Sequence, residues 1–190
     1  MTHFTQDWLS HNIPNFEAIK AMLPECRSIL EVGCFEGRAT CWMLEHMLSR
    51  DGDMVCVDTF TGSEEHSQIE LTDMYKRWQY NVDASSGEDQ TVACYVGTSY
   101  EMLARLISEE QRFDFIYVDG SHTAPDVMTD ACMAWGMLKP GGIMLFDDYL
   151  WEDVLGFLHR PKIAIDYFST LFAEQSTIAL LGYQYALRKL

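Results

Sequence analysis

The chain has 190 residues, enough for one domain with a sizeable core, and hydrophobic residues make up 48% of it. Its formal net charge is −16, and its 13 Lys and Arg residues are scattered, which argues against nucleic acid and anionic membranes as partners because phosphate groups bind clustered basic side chains. No apolar run is long enough to span a bilayer, and residues 1–15 lack the basic and apolar stretches of a signal peptide, so we expect a cytoplasmic location.

Short apolar runs alternate with segments of helical spacing along most of the chain. The predicted strands cover residues 28–32, 54–57, 91–96, 113–118 and 143–146, and the predicted helices cover 38–48, 69–82, 99–107, 123–138 and 161–172. Nearly continuous apolar strands that alternate with helices indicate an α/β protein with a parallel sheet covered on both faces. Two final runs, 176–181 and 183–190, are separated only by Gly182, which predicts an antiparallel hairpin.

The whole chain, residues 1–190, is interpreted as one domain. It includes an N-terminal helical segment, residues 1–26, and a long connection, residues 59–90, between the second and third strands. Such a connection is typical of a lid over a binding site, and the alternative is an ordinary crossover helix with a loose end. Six cysteines without C-x-x-C or zinc-finger spacing, several of them in apolar runs, are interpreted as buried thiols in a reducing compartment.

The loop after the first strand carries a glycine pattern, Glu31-x-Gly33-x-x-x-Gly37, and opens a helix. Glycines let backbone approach a ligand closely, and a helix N-terminus offers free N–H groups. Phe35 occupies the position where a dinucleotide-binding loop needs glycine, which argues against a pyrophosphate ligand. Asp58 ends the second strand, where a carboxylate can accept hydrogen bonds from ribose hydroxyls, so the pattern indicates an adenosine-containing ligand. The alternative for the glycines is a tight strand–helix turn without a ligand.

Several segments together resemble the class I S-adenosylmethionine-dependent methyltransferases. These are residues 29–37, 57–63, 113–122, 138–142, 146–149 and 182–189. They are most similar to small-molecule O-methyltransferases of the methyltransferase 24 group and of the catechol and macrocin types. The resemblance implies a Rossmann-like fold, with a mostly parallel seven-stranded sheet in the order 3-2-1-4-5-7-6, a C-terminal antiparallel hairpin and helices on both faces.

The resemblance also implies which residues hold the cofactor, S-adenosylmethionine. Glu31 and Gly33 would border its methionine part, Asp58 would bind its ribose, and Ser99 would lie against its adenine. The cofactor-binding residues predicted on this basis are Glu31, Gly33, Gly37, Asp58, Ser99 and Asp119.

Carboxylates end the fourth and fifth strands, which are neighbours about 4.8 Å apart in the implied order. Asp119, Asp147 and Asp148 would therefore converge beside the cofactor, and they are the hard oxygen ligands that Mg²⁺ prefers. The catechol and macrocin relatives hold a metal at matching positions, and the pair Asp147-Asp148 matches the macrocin type. The alternative is that Asp119 and Asp147 are turn residues that bind local N–H groups.

His122 and Asp119 are the predicted catalytic residues. A histidine titrates near neutral pH, so His122, three residues after Asp119, is a candidate general base. It stands where catechol enzymes carry a lysine base, whereas macrocin-type enzymes place an Asp at the position of Ser121. An exposed histidine without a catalytic role is the alternative.

The sequence thus predicts a methyltransferase that acts on a hydroxyl group of a small molecule, with a divalent cation such as Mg²⁺ as a second cofactor. A metal-independent methyltransferase, a non-catalytic cofactor-binding protein on the same fold and a nicotinamide-dependent dehydrogenase are the alternatives. The oligomeric state stays open, with a homodimer among the alternatives.

Overall fold

A computed structural model describes residues 2–62, 71–151, 156 and 159–190 of the chain. Its strands are β1 (Cys26–Val32), β2 (Leu48–Asp58), β3 (Thr91–Val96), β4 (Phe113–Val118), β5 (Leu138–Phe146), β6 (Ser176–Leu181) and β7 (Tyr185–Lys189). Its α-helices are α1 (Ile13–Met22), α2 (Arg38–His46), α3 (Met74–Ser85), α4 (Ser99–Ser108), α5 (Ala124–Trp135) and α6 (Pro161–Leu171), and a 3₁₀ helix at Ser10–Asn12 precedes α1.

The strands form one sheet in the order β3-β2-β1-β4-β5-β7-β6, which confirms the order that the resemblance implied. Strands β1 to β5 pair in parallel, whereas β7 runs antiparallel to β5 and β6. The chain builds outward from β1 to β3 and then crosses back to place β4 on the other side of β1. In a parallel sheet, the carboxyl ends of the strands beside such a reversal form a crevice where ligands bind.

Helices cover both faces of the sheet and bury a hydrophobic core on each. On one face, α1, α2 and α3 contribute residues such as Phe16 to a core that includes Ile29 of β1. On the other face, α4, α5 and α6 contribute residues such as Leu103 to a core that includes Leu30. Consecutive residues of β1 thus point to opposite cores, as side chains in a strand alternate. The continuously apolar sequence of the central strands follows from this burial on both faces.

Some predicted boundaries are wrong. Strand β5 begins at Leu138 rather than 143, so α5 ends at Trp135 and Pro140 lies within the strand. The proline is tolerated because the β4–β5 register shifts between Phe113 and Phe115, at an irregularity that removes the need for a regular ladder hydrogen bond. Strand β2 begins early, at Leu48.

Of residues 2–26, the described part of the N-terminal segment, only 10–22 are helical. The helix predicted over 69–82 corresponds to α3 over 74–85, while residues 63–70 of the predicted lid lie outside the described residues. No helix in the described ranges has both the length and the apolar character that a membrane span requires. The six cysteines are free thiols, of which four are buried, as predicted, while Cys94 is half-buried and Cys132 is exposed.

Candidate active site

A cavity of about 670 Å³ lies at the carboxyl ends of the central strands. Main-chain hydrogen bonds continue the sheet by one residue past the strand ends: Asp119 N donates to Val32 O at 2.8 Å, and Asp147 N donates to Val118 O at 3.0 Å. These bonds hold the first residue of each loop in line with the sheet. The acidic residues that follow the strands therefore share one edge and line one cavity.

Asp58 lies on the cavity wall with a carboxylate that is fixed by main-chain donors. Its Oδ2 accepts hydrogen bonds from Cys34 N at 2.6 Å and Phe35 N at 2.9 Å, and its Oδ1 accepts one from Phe60 N at 2.6 Å. Hydrogen bonds from N–H groups stabilise the ionised carboxylate and leave lone pairs for further donors. The arrangement suits a ligand that presents two hydroxyl groups side by side.

The two glycines of the loop after β1 let the backbone pass close to neighbouring parts of the protein. Gly33 has φ +88, and a Cβ there would lie 1.9 Å from Asp119 O, so the loop can cross the end of β4 only without a side chain. Gly37 has φ +81, and a Cβ there would meet the Trp78 ring at 2.9 Å. Gly33 lines the cavity, whereas Gly37 is not among the lining residues. A tight turn therefore explains the need for glycine at both positions, and contact of Gly33 or Gly37 with a cofactor stays a prediction.

Glu31 is fully buried, although it lines the cavity. Its Oε2 accepts a hydrogen bond from Thr40 Oγ1 at 2.5 Å, whereas its Oε1 has no hydrogen-bond partner among the described residues. Burial raises the pKa of Glu31 to about 8. The side chain therefore carries a proton at neutral pH until a positively charged group approaches it.

Ser99 begins α4 and lines the cavity beside Gly97 and Thr98, while its contact with adenine stays a prediction. Its hydroxyl is hydrogen-bonded to Asp130 of α5, which is buried. Burial raises the pKa of Asp130 to about 6, and the bond from Ser99 lowers it in part. The Ser99 side chain thus has a partner within the protein as well as access to the cavity.

Asp119, His122 and Asp148 form a compact group at the other end of the cavity. His122 Nε2 lies 2.8 Å from Asp148 Oδ2, and one potential ligand atom from each of the three residues lies within 4.8 Å of the others. Tyr183 donates its hydroxyl to Asp148 Oδ1 at 2.7 Å, and the Trp151 ring lies 4.6 Å from the His122 ring. Burial, together with the charges of Asp147 and Asp148, raises the pKa of Asp119 well above its usual range.

Asp147 has a different environment from the other two aspartates. Its carboxylate accepts hydrogen bonds from Asn12 at 3.2 Å, Gln184 at 3.1 Å and the buried hydroxyl of Tyr117 at 2.5 Å. Most of its acceptor capacity is thus used within the protein. Its role as a metal ligand stays a prediction, and the geometry favours His122 as the partner of Asp119 and Asp148. Asn12, Tyr117 and Gln184 carry no sequence signal for this role.

Residues 3–12, which we call the N-terminal strap, form a wall of the cavity that was not predicted from the sequence. Trp8, Leu9, His11 and Asn12 of the strap line the cavity, and the Trp8 ring lies 4.8 Å from that of Phe35 in the loop after β1. The strap falls within the segment 1–26 that was predicted to be helical, but only its residues 10–12 are helical, and no motif in it indicated a place on the cavity wall.

Glu36, in the loop after β1, binds both the strap and helix α3. Its buried carboxylate accepts hydrogen bonds from Thr5 N at 2.6 Å and Thr5 Oγ1 at 2.8 Å, and it forms an ion pair with Arg77 of α3 at 3.2 Å. The main-chain oxygen of Glu36 accepts a bond from Asn81, which also binds His3 of the strap. In the sequence, the one indication of these contacts was that a charged residue, Glu36, lies between the two glycines of the loop after β1.

The sequence and the fold of the chain are similar to those of known proteins. The chain matches the model of a family described as a methyltransferase domain, over residues 30–149. No curated protein sequence matches it. An O-methyltransferase from Bacillus cereus, solved in complex with SAH (S-adenosylhomocysteine), is 21% identical and superposes with a TM-score of 0.65 over 98% of this chain and 84% of that one.

Two further solved structures are similar. The O-methyltransferase TomG from Streptomyces achromogenes, involved in tomaymycin synthesis and solved with SAM (S-adenosylmethionine), is 20% identical, with a TM-score of 0.63 over 95% of this chain and 81% of that one. MycE methyltransferase from the mycinamycin biosynthetic pathway, in complex with Mg, SAH and mycinamycin VI, is 16% identical, with a TM-score of 0.60 over 98% of this chain and 50% of that one. These likenesses confirm the predicted fold class.

Proposed function

The chain belongs to this methyltransferase family, and from that premise we propose that it transfers a methyl group from S-adenosylmethionine to a hydroxyl group of a small molecule. The observation that best supports the proposal is which residues line the two ends of the cavity. One end has the carboxylate of Asp58, fixed by main-chain donors, and the other has a histidine paired with a carboxylate. A cofactor site and a proton-accepting group are what methyl transfer to a hydroxyl requires.

In this proposal Asp58 accepts hydrogen bonds from both ribose hydroxyls of the cofactor. Glu31 and Gly33 border its methionine part, where the unpaired Oε1 of Glu31 is available to a positively charged amino group. Ser99 lies against the adenine. The complexes of the Bacillus cereus enzyme with SAH and of TomG with SAM, on the same fold, support this choice of cofactor.

His122 is the proposed general base. The methyl group of the cofactor is already activated by its sulfonium, so the protein needs to align the acceptor oxygen and remove its proton. Asp148, 2.8 Å from Nε2, orients the imidazole and stabilises its positive charge after proton transfer, and the Tyr183 hydroxyl holds Asp148 in place. Asp119, whose pKa is raised, would hold the acceptor hydroxyl by a hydrogen bond.

Asp119, His122 and Asp148 also fit a divalent cation. Two crowded carboxylates and an imidazole, with ligand atoms within 4.8 Å of one another, form a donor set that suits Mn²⁺ or, with waters, Mg²⁺. A cation bound there would lower the pKa of the acceptor hydroxyl. The Mg in the MycE complex favours this alternative. Because His122 Nε2 cannot bind both a metal and a proton, the two alternatives give His122 different roles.

The test is methyl transfer itself, followed as the release of S-adenosylhomocysteine with a panel of phenolic and sugar acceptors. Once this panel has identified an acceptor, His122→Ala should lower turnover of that acceptor by about 10²- to 10⁴-fold, the range for loss of an acid–base group. His46→Ala, which alters an exposed histidine outside the cavity, is the matched control.

A chelator distinguishes the two alternatives, which are a divalent cation bound by Asp119, His122 and Asp148, and His122 acting alone as the general base. Loss of activity in chelator that Mg²⁺ or Mn²⁺ restores supports the cation, whereas full activity in chelator supports His122 alone as the base. A His122→Ala variant that turns over like the wild type would contradict both roles. Cofactor binding without transfer to any acceptor would favour the non-catalytic alternative.

A further inference from the structure

Two thiols and a carboxyl group lie together beneath the loop that follows β1. Glu31, Cys34 and Cys56 are all buried, and one potential ligand atom from each lies within 4.8 Å of the others. Cys56 Sγ is 3.5 Å from Glu31 Oε2, and Cys34 Sγ is 3.6 Å from Val57 O. The proposed methyl transfer uses neither thiol, so the function described above does not explain why two of them face Glu31.

The carboxyl group of Glu31 leaves one oxygen without a donor. Oε2 accepts the hydroxyl of Thr40, whereas Oε1 is buried and has no hydrogen-bond partner among the described residues. A buried polar atom without a hydrogen-bond partner is unfavourable, because water has been removed and nothing replaces it. The unpaired oxygen belongs to a carboxyl group that lies beside two thiols, and this combination points to a bound cation with an affinity for sulfur.

We propose that Glu31, Cys34 and Cys56 form a binding site for a thiophilic divalent cation, of the chemical class of Zn²⁺ and Cd²⁺, and that its occupation excludes the methyl donor. Thiolate ligands select such ions, whereas Mg²⁺ selects oxygen ligands. Binding exchanges the protons of the two thiols and of the carboxyl group for the cation. The hydrogen bond from Thr40 to Glu31 helps to stabilise the negative charge that remains.

The cavity gives the ion a route to this site. Glu31 and Cys34 both line the cavity, at the end where the methionine part of the donor is proposed to bind. The main chain of Cys34 also holds Asp58, through its N–H at 2.6 Å. A cation that draws Cys34 Sγ toward Cys56 therefore disturbs both parts of the donor site. This exclusion rests on the proposed function, whereas the cation site itself does not.

A titration with Cd²⁺ tests the site, followed by the ultraviolet charge-transfer absorption that only sulfur-bound cadmium gives. We expect saturation at one equivalent in the wild type and in Cys132→Ser, which removes an exposed thiol and is the matched control. Cys56→Ser, with its fold checked by circular dichroism, should bind at least about 10-fold more weakly, because loss even of an outer-shell partner costs that much. If Cys56→Ser does not fold, Cys34→Ser takes its place.

The proposal is overturned if the wild type shows no such absorption, if the folded variant keeps it, or if Cys132→Ser removes it. A second titration, with S-adenosylhomocysteine present, tests the exclusion, and the apparent affinity for Cd²⁺ should fall as its concentration rises. Independent binding of the two would overturn the exclusion. Failure of S-adenosylhomocysteine to bind at all would count against the proposed function, while the Cd²⁺ titration without it still decides the cation site.

Discussion

Asp130 shows at the scale of one residue how a buried carboxyl group links stability to pH. Burial raises its pKa from 3.8 to about 6 in the folded protein, so the folded state binds a proton more tightly than the unfolded chain does. Stability therefore falls as the pH rises from about 4 to about 6, and the loss persists above that range. At about 1.4 kcal/mol for each tenfold change in proton affinity, the loss amounts to roughly 3 kcal/mol.

Asp130→Asn removes the charge and keeps an acceptor for Ser99. We expect the variant to be more stable than the wild type at pH 7.5, by up to about 3 kcal/mol in urea unfolding, and equal to it near pH 4. Asp83→Asn, at an exposed position of α3, should change neither value. A variant less stable than the wild type at pH 7.5 would show that the folded protein stabilises the charged form of Asp130.

Gly33 and Gly141 allow the effects of φ and of space to be separated. Both have positive φ, +88 and +81, but a Cβ at Gly33 would lie 1.9 Å from Asp119 O, whereas one at Gly141 would meet nothing within 4 Å. Gly141→Ala should therefore cost only the strain of the left-handed conformation, about 1–3 kcal/mol. Gly33→Ala should cost clearly more, or prevent folding, because backbone atoms of two strand ends must move apart. Equal losses in urea unfolding of the two variants would contradict this account.

At the scale of elements, the buried side chain of Glu36 links the N-terminal strap to the loop after β1 and to α3, beside the contacts of Asn81 with His3 and of Trp8 with Phe35. Removal of one partner of a buried ion pair costs about 3–5 kcal/mol, so Glu36→Ala should destabilise the protein by about that amount. Thr5→Ala removes only one of the hydrogen bonds to Glu36 and should cost about 1 kcal/mol.

Hydrogen exchange should localise the effect of the Glu36 substitution. In Glu36→Ala, the amides of residues 3–12 should exchange faster than in the wild type under conditions where the sheet stays protected. Thr5→Ala should show a smaller change in the same segment. Unchanged protection of the strap in Glu36→Ala would mean that its other contacts, such as Trp8 on Phe35, hold it without the carboxylate.

Elements with a regular local pattern of apolar residues could be predicted from the sequence. Elements whose position depends on contacts with distant residues could not. Strands β3, β4 and β6 have the predicted bounds because each is a short apolar or β-branched run between turn residues. Pro140 and two glycines favoured a break, yet β5 runs through them because β4 pairs with Leu138 before them and with Ile143 after them. Nothing in the sequence of residues 3–12 predicted their place on the cavity wall, since it depends on Glu36 and Asn81, far along the chain.

The same is true of the candidate site, where residues at strand ends could be predicted from the sequence and contacts between distant residues could not. Asp58, Asp119 and Asp148 could be found because each follows a recognisable strand, and parallel strands end at a common edge. The pairing of His122 with Asp148 and the hydrogen bonds of Asp147 to Asn12 and Gln184 could not be found. They join loops whose relative position depends on the whole fold.

At the scale of the whole molecule, the sheet order brings the functional groups together. Placement of β4 beside β1, rather than beside β3, puts the end of β1 between Asp58 on one side and Asp119 on the other. This reversal opens the crevice in which the proposed cofactor and acceptor would lie. The order came from the family resemblance, because alternating strands and helices alone do not determine which strands are neighbours.

The measurement that tests the central claim most directly is a pair of calorimetric titrations, one with S-adenosylhomocysteine and one with NAD⁺. We predict that S-adenosylhomocysteine binds at one site, and that Asp58→Ala weakens it by about 1.5–3 kcal/mol, the value of hydrogen bonds to a charged group. NAD⁺ should not bind, because Phe35 stands where a pyrophosphate needs glycine. Binding of NAD⁺ in preference to S-adenosylhomocysteine, or affinity for S-adenosylhomocysteine that Asp58→Ala leaves unchanged, would contradict the account.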